Sequence, residues 1–209
     1  MQNAASFFGA AKYSVSTADR RCAIVSTARG SGWVILPRMS RWNDTDLPWA
    51  YLISFRAYGT WLHGDERGST DRFHHQYRSP HIPPNVAWQF HNKRVLKCPP
   101  VRLDAARRAS TENAIRETCT IRGWLLRAIN VRTNHVHTVV STGEANGRRV
   151  LNAFKANATR QMREDLCWPR ADSPWADRSS KRSLWNQESI GRAIDYVLNG
   201  QGDELPGFD

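Results

Sequence analysis

The stretch NVRTNHVHTVVST, residues 130–142, decides how this chain is built. Beyond the turn-prone Arg132, Thr133 and Asn134, the run is rich in valine and threonine, the composition of a strand. WLLRAINV (124–131), just before the turn, has the same character, so the two segments read as an antiparallel hairpin joined at RTN. Successive strand side chains point to opposite faces, which puts His135 and His137 on one face about 6–7 Å apart. Two imidazoles at that spacing can both reach one metal ion but leave its shell incomplete, so a third ligand has to come from elsewhere.

Outward from the hairpin, the pattern alternates. AYLISFRAYGTW (50–61) is β-branched and aromatic and reads as a first strand. The polar stretch 62–88 that follows reads as a long loop. Its histidines His63, His74, His75 and His81 show no helical ligand spacing with a carboxylate partner. LDAARRASTENAIRETCTIRGW (103–124) predicts a helix capped by Asp104 and ended by Gly123, with Ala109, Ile115 and Cys119 near one face. After the hairpin, Val150, Phe154, Ala158 and Met162 recur every fourth position of a second helix, with Asn146 as its cap. CWPRADSPWADRSSKRS (167–183) reads as a connection and SLWNQ (183–187) as a short last strand. A final helix dissolves after Asn199-Gly200. The order β, α, β, β, α, β predicts an α+β fold, a ferredoxin-like βαββαβ sandwich with helices on one face of an antiparallel sheet.

Residues 1–47 show no sustained period and read as an extension without order, with Met39 as a candidate natural start of translation. The folded domain is expected over 48–203, followed by a tail at 204–209.

Thirty Lys and Arg against nineteen Asp and Glu give a formal charge of +11. Such an excess favours a polyanionic partner, because each neutralised phosphate releases counterions. Lysine occurs only at 12, 93, 97, 155 and 181, so nearly all of the positive charge is arginine, which forks onto phosphate and stacks on bases. No run of eighteen apolar residues is present, so no membrane span is expected, and four scattered cysteines without a CxxC pair fit a reducing cytoplasm. The nine tryptophans fit packing first and base stacking second.

In the final helix, Ile190, Ile194, Val197 and Leu198 define the stripe expected to be buried. Tyr196 is two residues from Ile194, roughly 200° round the helix, and so points away from that stripe. Arg192 and Asn199 fall on the side of Tyr196. A phenol, a guanidinium and an amide on one side suit a phosphodiester.

TNHVHTVVS, the lysine-bearing LNAFKANATRQM, SLWNQES and AIDYVLNGQGD occur in this order, and together they resemble the HUH single-tyrosine transposases, above all their REP-associated branch. SFRAYGTWLHGDERGS is similar to that group's first strand and the loop after it. The resemblance spans residues 51–203. It implies that His135 and His137 bind a divalent ion, Mg²⁺ or Mn²⁺, that polarises the scissile phosphate, and that Tyr196 is the nucleophile. Attack would leave a 5′-phosphotyrosine and a free 3′-hydroxyl, with the bond energy retained and no nucleotide cofactor needed. The resemblance also implies phosphate positioning by Lys155 and Arg160, while Asn134 sets the turn into the strand. Members commonly carry Asn or Gln four residues after the tyrosine as third ligand. Gly200 stands there, which leaves Asn199, favoured by a regular helix, or Gln201, which needs the helix end to distort.

The expected substrate is single-stranded or hairpin DNA, the activity DNA transposition, and the location a bacterial cytoplasm at the nucleoid, with a homodimer allowed. Two alternatives stay open: a replication- or relaxase-type nickase, and a hairpin-DNA-binding protein without catalysis. Nickases often carry two tyrosines; here only Tyr196 follows the histidines, which favours the single-tyrosine chemistry.

Overall fold

In a computed structural model the chain divides into two compact units, Met1–Asp44 and Thr45–Asp209. Residues 15–16, 22–26, 33–37, 47–69, 82–203 and 205 are described. In the first unit these are three strands, β1 (Val15–Ser16), β2 (Cys22–Ser26) and β3 (Trp33–Pro37), paired antiparallel in the order β1-β2-β3. Apart from Leu47, the rest of the extension expected over 1–47, Met39 included, lies outside the described residues, as do His74, His75 and His81.

The second unit carries β4 (Ala50–Ala57), α1 (Val86–Arg94), α2 (Ala105–Arg122), β5 (Leu125–Val131), β6 (His135–Ser141), α3 (Gly147–Glu164), β7 (Trp175–Leu184) and α4 (Gln187–Asn199). Its sheet runs β5-β6-β4-β7 with every neighbouring pair antiparallel. That order is the ferredoxin-like βαββαβ arrangement expected. Two short-range signals fix α2: the Asp104 carboxylate accepts from the Arg107 N–H, and Gly123 takes the left-handed conformation at φ 65°. Asn146 caps α3 by accepting from the Arg149 N–H.

The alternation of β4 divides the unit into two layers of packing. Tyr51, Ile53, Phe55 and Ala57 join Ile115 of α2, Val150 and Phe154 of α3, and Trp124, Trp168 and Trp175 in the larger core. Ala50 and Leu52 instead join Val139, Leu184, Ile190, Ala193 and Val197. The two crossover helices thus cover one face of the sheet, and α4, which follows the βαββαβ unit, covers part of the other.

Several elements differ from their sequence reading. The segment expected as a connection over 167–183 is largely β7, while SLWNQ is only the end of that strand followed by Asn186, which caps α4. β7 is charged and lies at the sheet edge, so it lacks the apolar alternation of a half-buried strand. The segment read as loop contains the start of α1, a helix that buries none of its residues and hence carries no amphipathic signal. Ala109 of α2 is exposed, and the buried positions there are Arg108, Ser110, Thr111, Ala114, Ile115, Thr118 and Cys119. In α4 the covered stripe is Ile190, Ala193 and Val197, whereas Leu198 is exposed.

Candidate active site

The antiparallel register of β4 against β6 sets Ser54 opposite His137 and Arg56 opposite His135. Directly opposed residues share a face, and this is the face that α4 partly covers. The His135 and His137 rings stand edge to face, 4.7 Å between centroids. Tyr196, exposed on α4, brings its ring to 5.3 Å from that of His137. Among the described residues its hydroxyl has no hydrogen-bond partner. These groups line a cleft of about 950 Å³ whose walls also include Arg56, Trp61, Arg67 and Lys181.

Hydrogen bonds orient both imidazoles. The Asn134 Oδ1 accepts from His135 Nδ1 at 2.6 Å, and Ser54 Oγ lies 2.6 Å from His137 Nδ1. An amide oxygen only accepts, so Nδ1 of His135 carries the proton and a neutral ring leaves Nε2 with its lone pair free. That Nε2 faces Gln201 Oε1 at 3.1 Å. Two lone pairs thus face each other, an arrangement that a cation between them relieves. Burial lowers the His135 pKa, opposed by the Gln201 oxygen and reinforced by Arg132, Arg67 and Arg56. Burial, with His135 as second cause, pushes His137 down to about 4. Both rings are therefore neutral at physiological pH, the state in which an imidazole is a metal ligand.

A side-chain oxygen beside His135 comes from a helix end. α4 stops at Asn199, and the Gly200 N–H donates to the Tyr196 carbonyl at 3.1 Å. The Gln201 Nε2 donates to the same carbonyl at 3.0 Å, which turns its Oε1 toward His135. From the neighbouring strand, Asn130 Nδ2 donates to the Val197 carbonyl at 3.0 Å, and Arg132 Nη1 donates to the Asp203 carbonyl at 2.6 Å. The chain that carries Gln201 is thereby tied to the hairpin that carries the histidines. Asn199 instead donates to Asp195 at 2.7 Å and does not line the cleft.

Of the residues expected at the site, Asn134, His135, His137, Tyr196 and Gln201 come together in this cleft. Lys155 donates from Nζ to the Ala176 carbonyl at 2.6 Å, and burial lowers its pKa, opposed by Asp177. Arg160 pairs with Glu164 and Glu117 on the outer surface of α3, and Arg192 pairs with Glu188 on α4. None of these three lines the cleft. Sequence reasoning missed Ser54, Arg56, Trp61 and Arg67. The first two are separated from the histidines by more than seventy residues in sequence, and only strand register brings them adjacent.

Among the described residues no three His, Cys, Asp or Glu side chains converge on one point. The donor set is two imidazoles and one amide oxygen, all uncharged, and it fits a divalent ion that takes its remaining ligands from an anionic substrate.

No protein-family model matches the chain, and no curated protein does. Two solved structures share a weak likeness of fold. One is a REP-associated tyrosine transposase bound to a REP hairpin, 12% identical, with a TM-score of 0.40 over 76% of this chain and 70% of that one. The other, from Deinococcus radiodurans and assigned provisionally as a transposase, is 14% identical, with a TM-score of 0.38 over 79% of this chain and all of that one.

Proposed function

We propose that this protein is a metal-dependent endonuclease and strand transferase acting on single-stranded or hairpin DNA in DNA transposition, with Tyr196 as nucleophile. The observation that carries the reading is the seating of Tyr196 beside His137, 5.3 Å between rings, with Gln201 Oε1 turned onto His135. The motif order in the sequence implies the same chemistry, and the charge of +11 suits a phosphodiester substrate.

His135, His137 and Gln201 would hold Mg²⁺ or Mn²⁺, which when bound supplies Lewis-acid polarisation of a non-bridging phosphate oxygen. Asn134 and Ser54 fix the imidazole orientations from behind, as outer partners of metal-binding histidines do. Tyr196 Oη attacks the scissile phosphorus. The P–O3′ bond breaks, the 3′-oxygen leaves and takes up a proton, and a 5′-phosphotyrosine remains. Attack by a 3′-hydroxyl on that ester reverses the step and rejoins strands. The phenol proton passes to solvent or to a group on the DNA.

The test is a denaturation-resistant protein–DNA adduct formed on labelled hairpin DNA in Mn²⁺. We expect it in the wild type, and we expect its loss in Tyr196→Phe and on chelation. An adduct that persists in Tyr196→Phe would sink the assignment. Hairpin binding without an adduct in the wild type would favour the non-catalytic alternative.

A further inference from the structure

On the wall of the cleft beside the histidines, Trp61 gathers two arginines. The Arg56 Cζ stands 4.6 Å from the indole centroid and the Arg67 Cζ 5.0 Å from it. The indole is fixed in turn, because Trp61 Nε1 donates to the Gly68 carbonyl at 2.7 Å. Arg67 is held as a fork: Nε donates to Asp65 Oδ1 at 2.7 Å and Nη2 to Asp65 Oδ2 at 2.8 Å. Asp65 is buried, and its backbone lies in a turn closed by the Gly68 N–H onto the Asp65 carbonyl at 2.9 Å.

This arrangement costs side-chain entropy, since long cationic side chains on a surface are ordinarily free to rotate. It leaves Nη1 of Arg67 with both hydrogens unused among the described residues, on a side chain that lines the cleft. Arg56 stands directly across the strand pair from His135. Two ordered guanidinium groups thus flank the place where the candidate chemistry occurs, and among the described residues the one acidic side chain on the cleft wall is Asp177. A planar cation held in one orientation matches a tetrahedral phosphate oxygen pair better than a mobile lysine does. With two guanidinium groups against it, the indole serves to order them rather than to stack a base.

We infer that Arg56, Trp61 and Arg67 form a phosphate clamp, which binds a non-scissile backbone phosphate of the DNA strand and so sets the scissile phosphate beside Tyr196 and the histidines. The clamp deepens the proposed function and rests on it for the substrate class. Its contacts are to backbone phosphate, so they hold the strand without reading sequence.

The probe is fluorescently labelled oligo(dT), with binding to the full chain measured by anisotropy in EDTA across a salt series. No metal or covalent step then contributes. Arg67→Gln and Arg56→Gln are each expected to weaken binding on the order of tenfold and to lower the salt slope by about one. Arg67→Lys keeps the charge but loses the fork and is expected to weaken binding as well. Arg116→Gln, which removes an arginine paired with Glu112 on α2, is the charge-matched control and is expected to bind as the wild type does. Circular dichroism melting checks that each variant is folded.

Wild-type affinity and slope in a folded Arg67→Gln would overturn the clamp even if the Tyr196 adduct forms. Equal losses in Arg116→Gln would also overturn it, since net charge would then account for the effect. Loss of affinity in the Arg67 and Arg56 variants, together with no adduct in the wild type, would retain the clamp and overturn the tyrosine chemistry. A wild type that does not bind oligo(dT) would overturn the clamp.

Discussion

At Gly200 the chain leaves α4, and a Cβ there would lie 2.7 Å from the Tyr196 carbonyl oxygen and 3.1 Å from its ring. The missing side chain lets the backbone pass close to Tyr196 and brings Gln201, not Asn199, to His135. Asn199 was the expectation because a regular helix puts positions three apart on one face. The helix stops at Asn199, and a termination of that kind is set by what the end packs against. Gln201→Ala is expected to weaken Mn²⁺ binding on the order of tenfold, with Asn199→Ala unchanged, as read by paramagnetic resonance of free Mn²⁺. The opposite ranking would restore the regular-helix ligand. The histidines also give a pH dependence. Their folded pKa values lie below the ordinary histidine value, so on acidification the unfolded chain takes up protons first. Metal-free protein should hold full stability above about pH 6.5 and lose it as the pH falls toward 4, the folded value of His137. Urea midpoints in EDTA should therefore be lower at about pH 5 than at about pH 7, and the difference should shrink in His137→Gln.

Among the elements, α4 carries the nucleophile candidate yet meets the sheet through few side chains. Ile190, Ala193 and Val197 are its buried contacts, and Asn130 ties its last turn to β5. Val197 is fully buried in the smaller core. Val197→Ala is expected to cost ~2 kcal/mol, measured by urea denaturation, and to lower adduct formation in parallel because Tyr196 is its neighbour on the same turn. A stability loss with undiminished adduct at saturating DNA would mean that α4 keeps its seat without that contact. The long elements were legible in the sequence because their signals are local: caps at Asp104 and Asn146, a four-residue apolar period in α3, and valine runs in the hairpin. α1 and β7 were not. α1 buries none of its side chains, and β7 is a polar edge strand held by pairing with β4, so neither leaves a hydrophobic period to read.

For the whole molecule, the two cores of the second unit are, among the described residues, formed by residues after Thr45. A chain beginning at Thr45 is therefore expected to fold by itself, with a cooperative melt and an unchanged Tyr196 adduct. A broad, non-cooperative transition on calorimetry would show that the first unit is required for folding. Much of the architecture follows from the sequence alone: the strand–helix order fixes a ferredoxin-like sheet, and the period of two puts His135 and His137 on one face. Helical geometry likewise turns Tyr196 away from the covered stripe of α4. Only the tertiary structure decides what meets them. The β4–β6 register brings Ser54 and Arg56 across from the histidines, and the end of α4 selects Gln201. Trp61 and Asp65 order the arginines of the cleft wall. Periodicity along a chain is a local property of backbone geometry. Which distant side chains share a cleft depends on pairing between strands and on where helices stop, and these are set by the packing of the whole domain.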